Sequence, residues 1–151
     1  VSVVVTPVVG RTDGSPRPWS LLLGGPETQG AAMVGAGVLP PRTAGPPLHR
    51  HTNEDEAFYV CSGVLTAQLA DLRLELQAGE VVWLPRNVPH AFANLSDAPT
   101  AIVSFVTPGG LSEMFREQDA HVAEHGGRAD PVVLAEISNR YGVELVGPPL
   151  L

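Results

Sequence analysis

Short apolar runs, broken by glycine, proline and polar turn residues, fill the first two thirds of the chain. They fall at residues 1–9, 21–23, 31–39, 57–61, 64–69, 72–76, 81–84, 90–94 and 100–106. Turn chemistry separates them: Ser62-Gly63, Ala78-Gly79, Pro85-Arg86-Asn87 and Ser96-Asp97. Short strands with a turn about every ten residues predict a β-sandwich or barrel. The pattern then changes to helical spacing, with Leu111, Met114, Phe115 and Val122 apolar and Ser112 available as an N-cap. Asp130-Pro131 predicts the start of a second helix, whose apolar face is Val133, Leu134, Ile137 and Tyr141 and which Gly142 ends. One more apolar piece, residues 143–146, precedes Pro148-Pro149. The chain reads as all-β with a short helical tail packed on the barrel. No internal linker or repeat divides it, so residues 1–151 are expected to form one domain, with a barrel core of about 21–107 and a tail of about 111–151.

Composition narrows the partners. Apolar residues make up 44% of the 151, enough for a real core. No apolar run approaches the roughly 18 residues of a membrane helix, and residues 1–9, β-branched and without a basic leader, read as a strand rather than a signal peptide. A net charge of −7 argues against a nucleic-acid partner. All nine basic residues are arginine, which removes catalytic-lysine and Schiff-base chemistry. Cys61 is the only cysteine, so neither an intrachain disulfide nor a cysteine-rich zinc site is available, and a cytoplasmic location is expected.

The chemistry concentrates in two stretches. In the first, His49 and His51 share a strand face, roughly 6.5–7 Å apart along the backbone, a separation from which two imidazoles can converge on one ion. The polar residues Thr52-Asn53-Glu54-Asp55 break the strand, and the next one begins with Glu56, Phe58 and Val60 on one face. A carboxylate on an apolar face needs a partner, and a metal provides one. In the second stretch His90, Phe92 and Asn94 share a face, and His90 supplies a fourth ligand from a remote strand. Three imidazoles and a carboxylate leave about two positions open on a six-coordinate ion, unlike the closed shell of a structural zinc site. Glu54 and Asp55 compete with Glu56 for the carboxylate role; its parity with Phe58 favours Glu56.

These stretches resemble the two cupin motifs. The first motif has His-x-His, an acid and a later glycine, here His49, His51, Glu56 and Gly63; the second has Gly79, Pro85, His90 and Asn94 in its Gly, Pro, His and Asn places. Two positions depart from the pattern. Asn87 stands where a glycine usually follows the proline, and Thr43 stands where the first motif usually opens with glycine, Gly45 lying two beyond. The interval between the motifs is short, as in compact bacterial single-domain cupins, and the whole arrangement is similar to quercetin 2,3-dioxygenase-like monocupins.

The resemblance implies a double-stranded β-helix, or jelly-roll barrel, holding one divalent ion (iron, nickel, manganese, cobalt, copper or zinc) on His49, His51, Glu56 and His90. It implies a metal-dependent dioxygenase acting on a small oxygenated or aromatic substrate, with Glu56 also the catalytic proton acceptor and Met33, Phe58, Val60, Phe92 and Asn94 forming the pocket. A non-redox cyclase, isomerase or lyase, and a non-catalytic small-molecule binder, are the alternatives. A homodimer is also implied, and the apolar edge at residues 1–9 suits subunit pairing. Trp83 is assigned to packing, Tyr59 to the outer face or a subunit contact, Arg50 to a surface ion pair and Cys61 to a buried thiol. His121 and His125 are assigned to the surface.

Overall fold

The computed structural model describes residues 19–151, so the predicted strand at residues 1–9 lies outside the described residues. Ten strands precede two helices and a last strand: β1 Trp19–Leu23, β2 Met33–Leu39, β3 Thr43–Ala44, β4 Pro47–His51, β5 Asp55–Ser62, β6 Val64–Leu69, β7 Leu72–Gln77, β8 Val81–Leu84, β9 His90–Asn94, β10 Thr100–Thr107, α1 Leu111–Glu124, α2 Pro131–Arg140 and β11 Val143–Pro149. They build two antiparallel sheets, one in the order β1-β2-β10-β5-β8 and the other β11-β4-β9-β6-β7, with β3 paired to β9. The β-sandwich or barrel predicted from the strand spacing, and the jelly roll that the resemblance implies, match the observed pair of sheets.

Alternation along these strands sends one set of side chains between the sheets. The larger packed cluster includes Leu39, Phe58, Val60, Leu65, Leu76, Leu84 and Ile102. A second cluster, of Met33, Val106, Leu111, Met114, Ile137 and Val143, joins the barrel to both helices. The tail therefore packs against the barrel, as its apolar faces predict, and in doing so covers one end of it. Its last strand does more than the sequence suggests: β11 pairs with β4, setting Val143 opposite His51 and Leu145 opposite His49.

Two turns show why particular residues stand where they do. Asn87 adopts φ of 65° and Gly63 φ of 80°, left-handed conformations that asparagine and glycine tolerate best. Gly45 lies so close to the Phe92 carbonyl that a β-carbon there would collide with it.

The second helix starts as predicted. Asp130 accepts the amides of Val132 at 2.9 Å and Val133 at 3.5 Å, and Pro131 occupies the first turn. The first helix corrects the predicted cap. Gly110 is its N-cap, without a side-chain bond, and Ser112 lies inside the helix. The Ser112 hydroxyl instead accepts the Gly25 amide at 3.0 Å, tying α1 to the loop after β1.

Two further expectations are overturned by what lies outside the sheet. Trp83, assigned to packing, is 50% exposed, because Val82 and Leu84 take the inward positions of β8. Cys61 is exposed rather than buried, since it shares the outward parity of Tyr59. Arg50 does form the expected surface ion pair, its Nε donating to Glu144 at 2.8 Å. Among the described residues no helix is long and apolar enough to cross a membrane.

Candidate metal centre

Four buried side chains meet between the sheets. His49 and His51 project from β4, and His90 lies directly opposite His49 on β9. Glu56 comes from the other sheet, on β5, flanked by Val106 and Leu84. One candidate ligand atom from each of the four lies within 4.8 Å of every other. The ring centroids of His49 and His90 are 4.5 Å apart, and those of His51 lie 5.1 Å from His49 and 4.9 Å from His90.

Hydrogen bonds behind the rings set their orientation. His49 Nδ1 donates to the Pro47 carbonyl at 2.7 Å and His90 Nδ1 to the Val88 carbonyl at 3.0 Å. This backbone anchoring fixes the tautomer that leaves Nε2 as a lone-pair donor, as metal-ligating histidines commonly do. Burial lowers the pKa of His49, with His90 beside it adding to the effect, and burial lowers that of His51 to about 4. Both rings are thus neutral, the form that binds a metal.

His51 Nδ1, Glu56 Oε2 and His90 Nε2 are buried without a hydrogen-bond partner. Glu56 Oε2 and His90 Nε2 stand 3.3 Å apart, close enough for attraction but not aligned as a hydrogen bond. Orphaned polar atoms this close in a protein interior are costly, and one divalent cation between Glu56 Oε2 and His90 Nε2 satisfies both. The residues present therefore fit a metal.

The neighbouring acids do not compete. Asp55 is held by Arg86, which gives it a backbone amide bond at 2.8 Å and a guanidinium bond at 2.8 Å. These bonds tie the start of β5, and so Glu56, to the loop before β9. Glu54 is buried apart from the four ligands, and burial raises its pKa to about 7. His121 and His125 stack on each other near the end of α1 and do not join the site.

Beside the four ligands opens a cavity of about 480 Å³. Met33, Phe58 and Phe92 line it as predicted, the two phenylalanine rings in tilted contact at 4.5 Å. Val60 and Asn94, predicted to join them, are elsewhere. Val60 is wholly enclosed in the larger core cluster, farther down the strand. Asn94 is consumed by the backbone, its amide donating to the carbonyls of Leu39, Pro40 and Ala98 at 3.0, 2.9 and 2.8 Å. The sequence reading missed Trp19 from β1 and the cover supplied by Leu111, Met114 and Phe115 of α1 and Leu134 of α2. Their apolar helical spacing was the available signal, but it does not say which surface the helices cover. Away from the ligands, polar groups on the wall pair with one another: Trp19 Nε1 donates to Ser104 Oγ at 2.9 Å, and Gln118 Nε2 to Ser138 Oγ at 3.0 Å. Among the described residues no arginine lines the cavity.

Residues 37–106 match the family model described as a cupin domain. The barrel is a cupin fold. Both of the cupin motifs that carry the four ligands fall inside the matched span. A cupin protein from Bacteroides fragilis superposes with a TM-score of 0.57 at 19% identity, over 70% of this chain and 88% of that one. A predicted oxalate decarboxylase from Thermotoga maritima gives 0.56 at 20% identity, over 60% of this chain and 78% of that one. A structure of DMSP lyases gives 0.53 at 28% identity, over 62% of this chain and 48% of that one. Among curated proteins, an uncharacterized protein of Methanocaldococcus jannaschii is 27% identical over 56 residues, 37% of this chain. The match spans 45% of that relative's length. The comparisons show the fold; the chemistry performed at the four-ligand cluster is a separate question.

Proposed function

We propose that this cupin is a metal-dependent dioxygenase acting on a small aromatic or otherwise largely apolar compound that offers an oxygen to the metal. The observation that carries the reading is the cavity wall: among the described residues it is aromatic and aliphatic, without arginine, and it ends on His49, His51 and Glu56 of the ligand set. Among the described residues a phosphorylated or dianionic substrate would find no arginine on the wall, whereas an aromatic ring finds Trp19, Phe58, Phe92 and Phe115.

A divalent ion held by His49, His51, Glu56 and His90 supplies Lewis acidity and, where redox-active, the means to engage dioxygen. The chain's own residues do the rest. The three imidazoles, anchored from behind or buried, hold their lone pairs on the centre. Glu56 accepts the proton of a substrate hydroxyl on the carboxylate oxygen that the ion does not engage. Phe58 and Phe92 orient the ring, and the helical cover excludes water.

The test is oxygen consumption by the metal-reconstituted full chain with flavonol or catechol substrates. Uptake in step with substrate loss is expected, with Glu56→Gln lowering kcat by about 100-fold or more. No uptake with any reconstituting metal contradicts the reading. A second reading, lyase or isomerase chemistry using the ion only as a Lewis acid, draws support from the 28% identity to the DMSP lyase structure. Full turnover with zinc and without oxygen would select it.

A further inference from the structure

One buried hydroxyl on the cavity wall has an acceptor site committed and its proton not. Ser104 points inward from β10, is 2% exposed, and lies in register between Gly35 of β2 and Phe58 of β5. A β-carbon at Gly35 would collide with the Trp19 indole, so the missing side chain is what lets the indole lie across β2 and reach Ser104. Trp19 Nε1 donates to Ser104 Oγ at 2.9 Å. The Phe115 ring of α1 packs on the indole, with centroids 4.9 Å apart and planes at 42°, and holds it there. An indole N–H only donates, so Ser104 accepts in this bond and its own proton is still to be given. Among the described residues no acceptor is bonded to that proton. Thr100, on the same face of the same strand, shows the complete pattern: its hydroxyl accepts the Val64 amide at 3.2 Å and donates to the Val64 carbonyl at 2.9 Å. Phe58 and Ile102, the inward residues beside Ser104, offer its proton no acceptor.

We infer that Ser104 gives this proton to a second oxygen of the substrate, an assignment that rests on the aromatic-substrate reading proposed above. Register gives the spacing between the two ends of such a molecule. Val106 pairs with Glu56, and Ser104 is the next inward position of β10, roughly 7 Å along the strand. A single aromatic ring with oxygens on opposite carbons spans a distance of that order. Phe58, directly across from Ser104, and Phe92, in contact with Phe58, supply the faces against which the ring lies. The ligand class is therefore a phenol or enol that carries an uncharged acceptor, an ether, a carbonyl or a second hydroxyl, across the ring from its first oxygen. A carboxylate at that end would be buried against one hydroxyl, with no arginine on the described wall to pair with it. A hydrocarbon end would leave the Ser104 proton buried without a partner, and a site built to bond an oxygen selects against the analogue that lacks it for this reason. The other polar pair on the wall does not compete for this role. Ser138 takes the Gln118 amide and gives its own proton to the Leu134 carbonyl at 2.8 Å.

Calorimetric binding of 4-methoxyphenol and 4-ethylphenol to the zinc-loaded full chain tests the assignment, since it reads affinity without turnover. The two probes differ in an ether oxygen against a methylene, and the ether can accept a hydrogen bond but not donate one. The ratio of affinities, methoxy over ethyl, is expected to fall about fivefold in Ser104→Ala. A loosened barrel or a shifted indole weakens both probes alike and leaves that ratio unmoved. Trp19→Phe removes the indole N–H and keeps the hydroxyl, and is expected to retain the parent's ratio. Two probes that bind with a ratio unchanged by Ser104→Ala overturn the assignment and leave the aromatic-substrate reading standing. A ratio that falls in Trp19→Phe and holds in Ser104→Ala also overturns it, because the donor is then the indole. Binding of neither probe to the parent overturns the aromatic-substrate reading and this contact with it.

Discussion

The two ends of the barrel interior are built by the same alternation and come out differently. At one end Leu65 and Val60 reach zero exposure, packed in a cluster drawn from both sheets. At the other, three imidazoles and a carboxylate replace aliphatic groups, and their need for a common partner keeps the centre from closing. The helices then cover the opening without filling it, leaving the cavity between Met114, Phe92 and the ligands. The contrast teaches that the packed end holds the fold and the open end is held by it. The ligands are positioned by strands whose stability comes from elsewhere.

Substitutions at the two ends should separate these roles. Leu65→Ala is expected to cost about 3 kcal/mol, because it leaves a void in a dense core, yet to leave metal stoichiometry unchanged. Met114→Ala should cost less, about 1–2 kcal/mol, because it widens a cavity already present, while loosening substrate binding. Chemical denaturation with metal analysis checks both. Equal costs, or loss of metal on Leu65→Ala, would break the distinction.

A smaller effect is expected at Glu54, which is buried near the open end outside the ligand set. Burial raises its pKa to about 7 from an ordinary 4.5, so the folded chain prefers the protonated acid. In the metal-free protein this penalty is absent at pH 4, grows as pH rises from the unfolded value toward 7, and persists above it. Glu54→Gln mimics the protonated form. It should raise the melting temperature by a few degrees at pH 8 and change it little at pH 5. Equal effects at the two pH values would mean that charge is not the cause.

What could be read from the sequence follows from what period-two alternation carries. Parity identifies the face, so His49, His51, Glu56 and His90 were legible, as was the inward turn of Phe58 and Phe92. Parity does not give depth along the barrel. Val60 shares a face with Phe58 but lies farther into the packed end, and Asn94 shares one with His90 but turns its amide to three backbone carbonyls. Nor does parity say what covers an outward residue, which is why Trp83 and Cys61 were misjudged. The helix α1 shows the same limit: its apolar stripe was visible, but its position over the metal site depends on the Thr107–Gly110 turn and the Ser112 bond to Gly25.

Metal analysis of the purified full chain, alongside His90→Ala, tests the central claim most directly. The account predicts one divalent ion per chain in the parent and a loss of affinity of about 100-fold or more in the variant. A parent that takes up no divalent ion, or a variant that binds it undiminished, would contradict it.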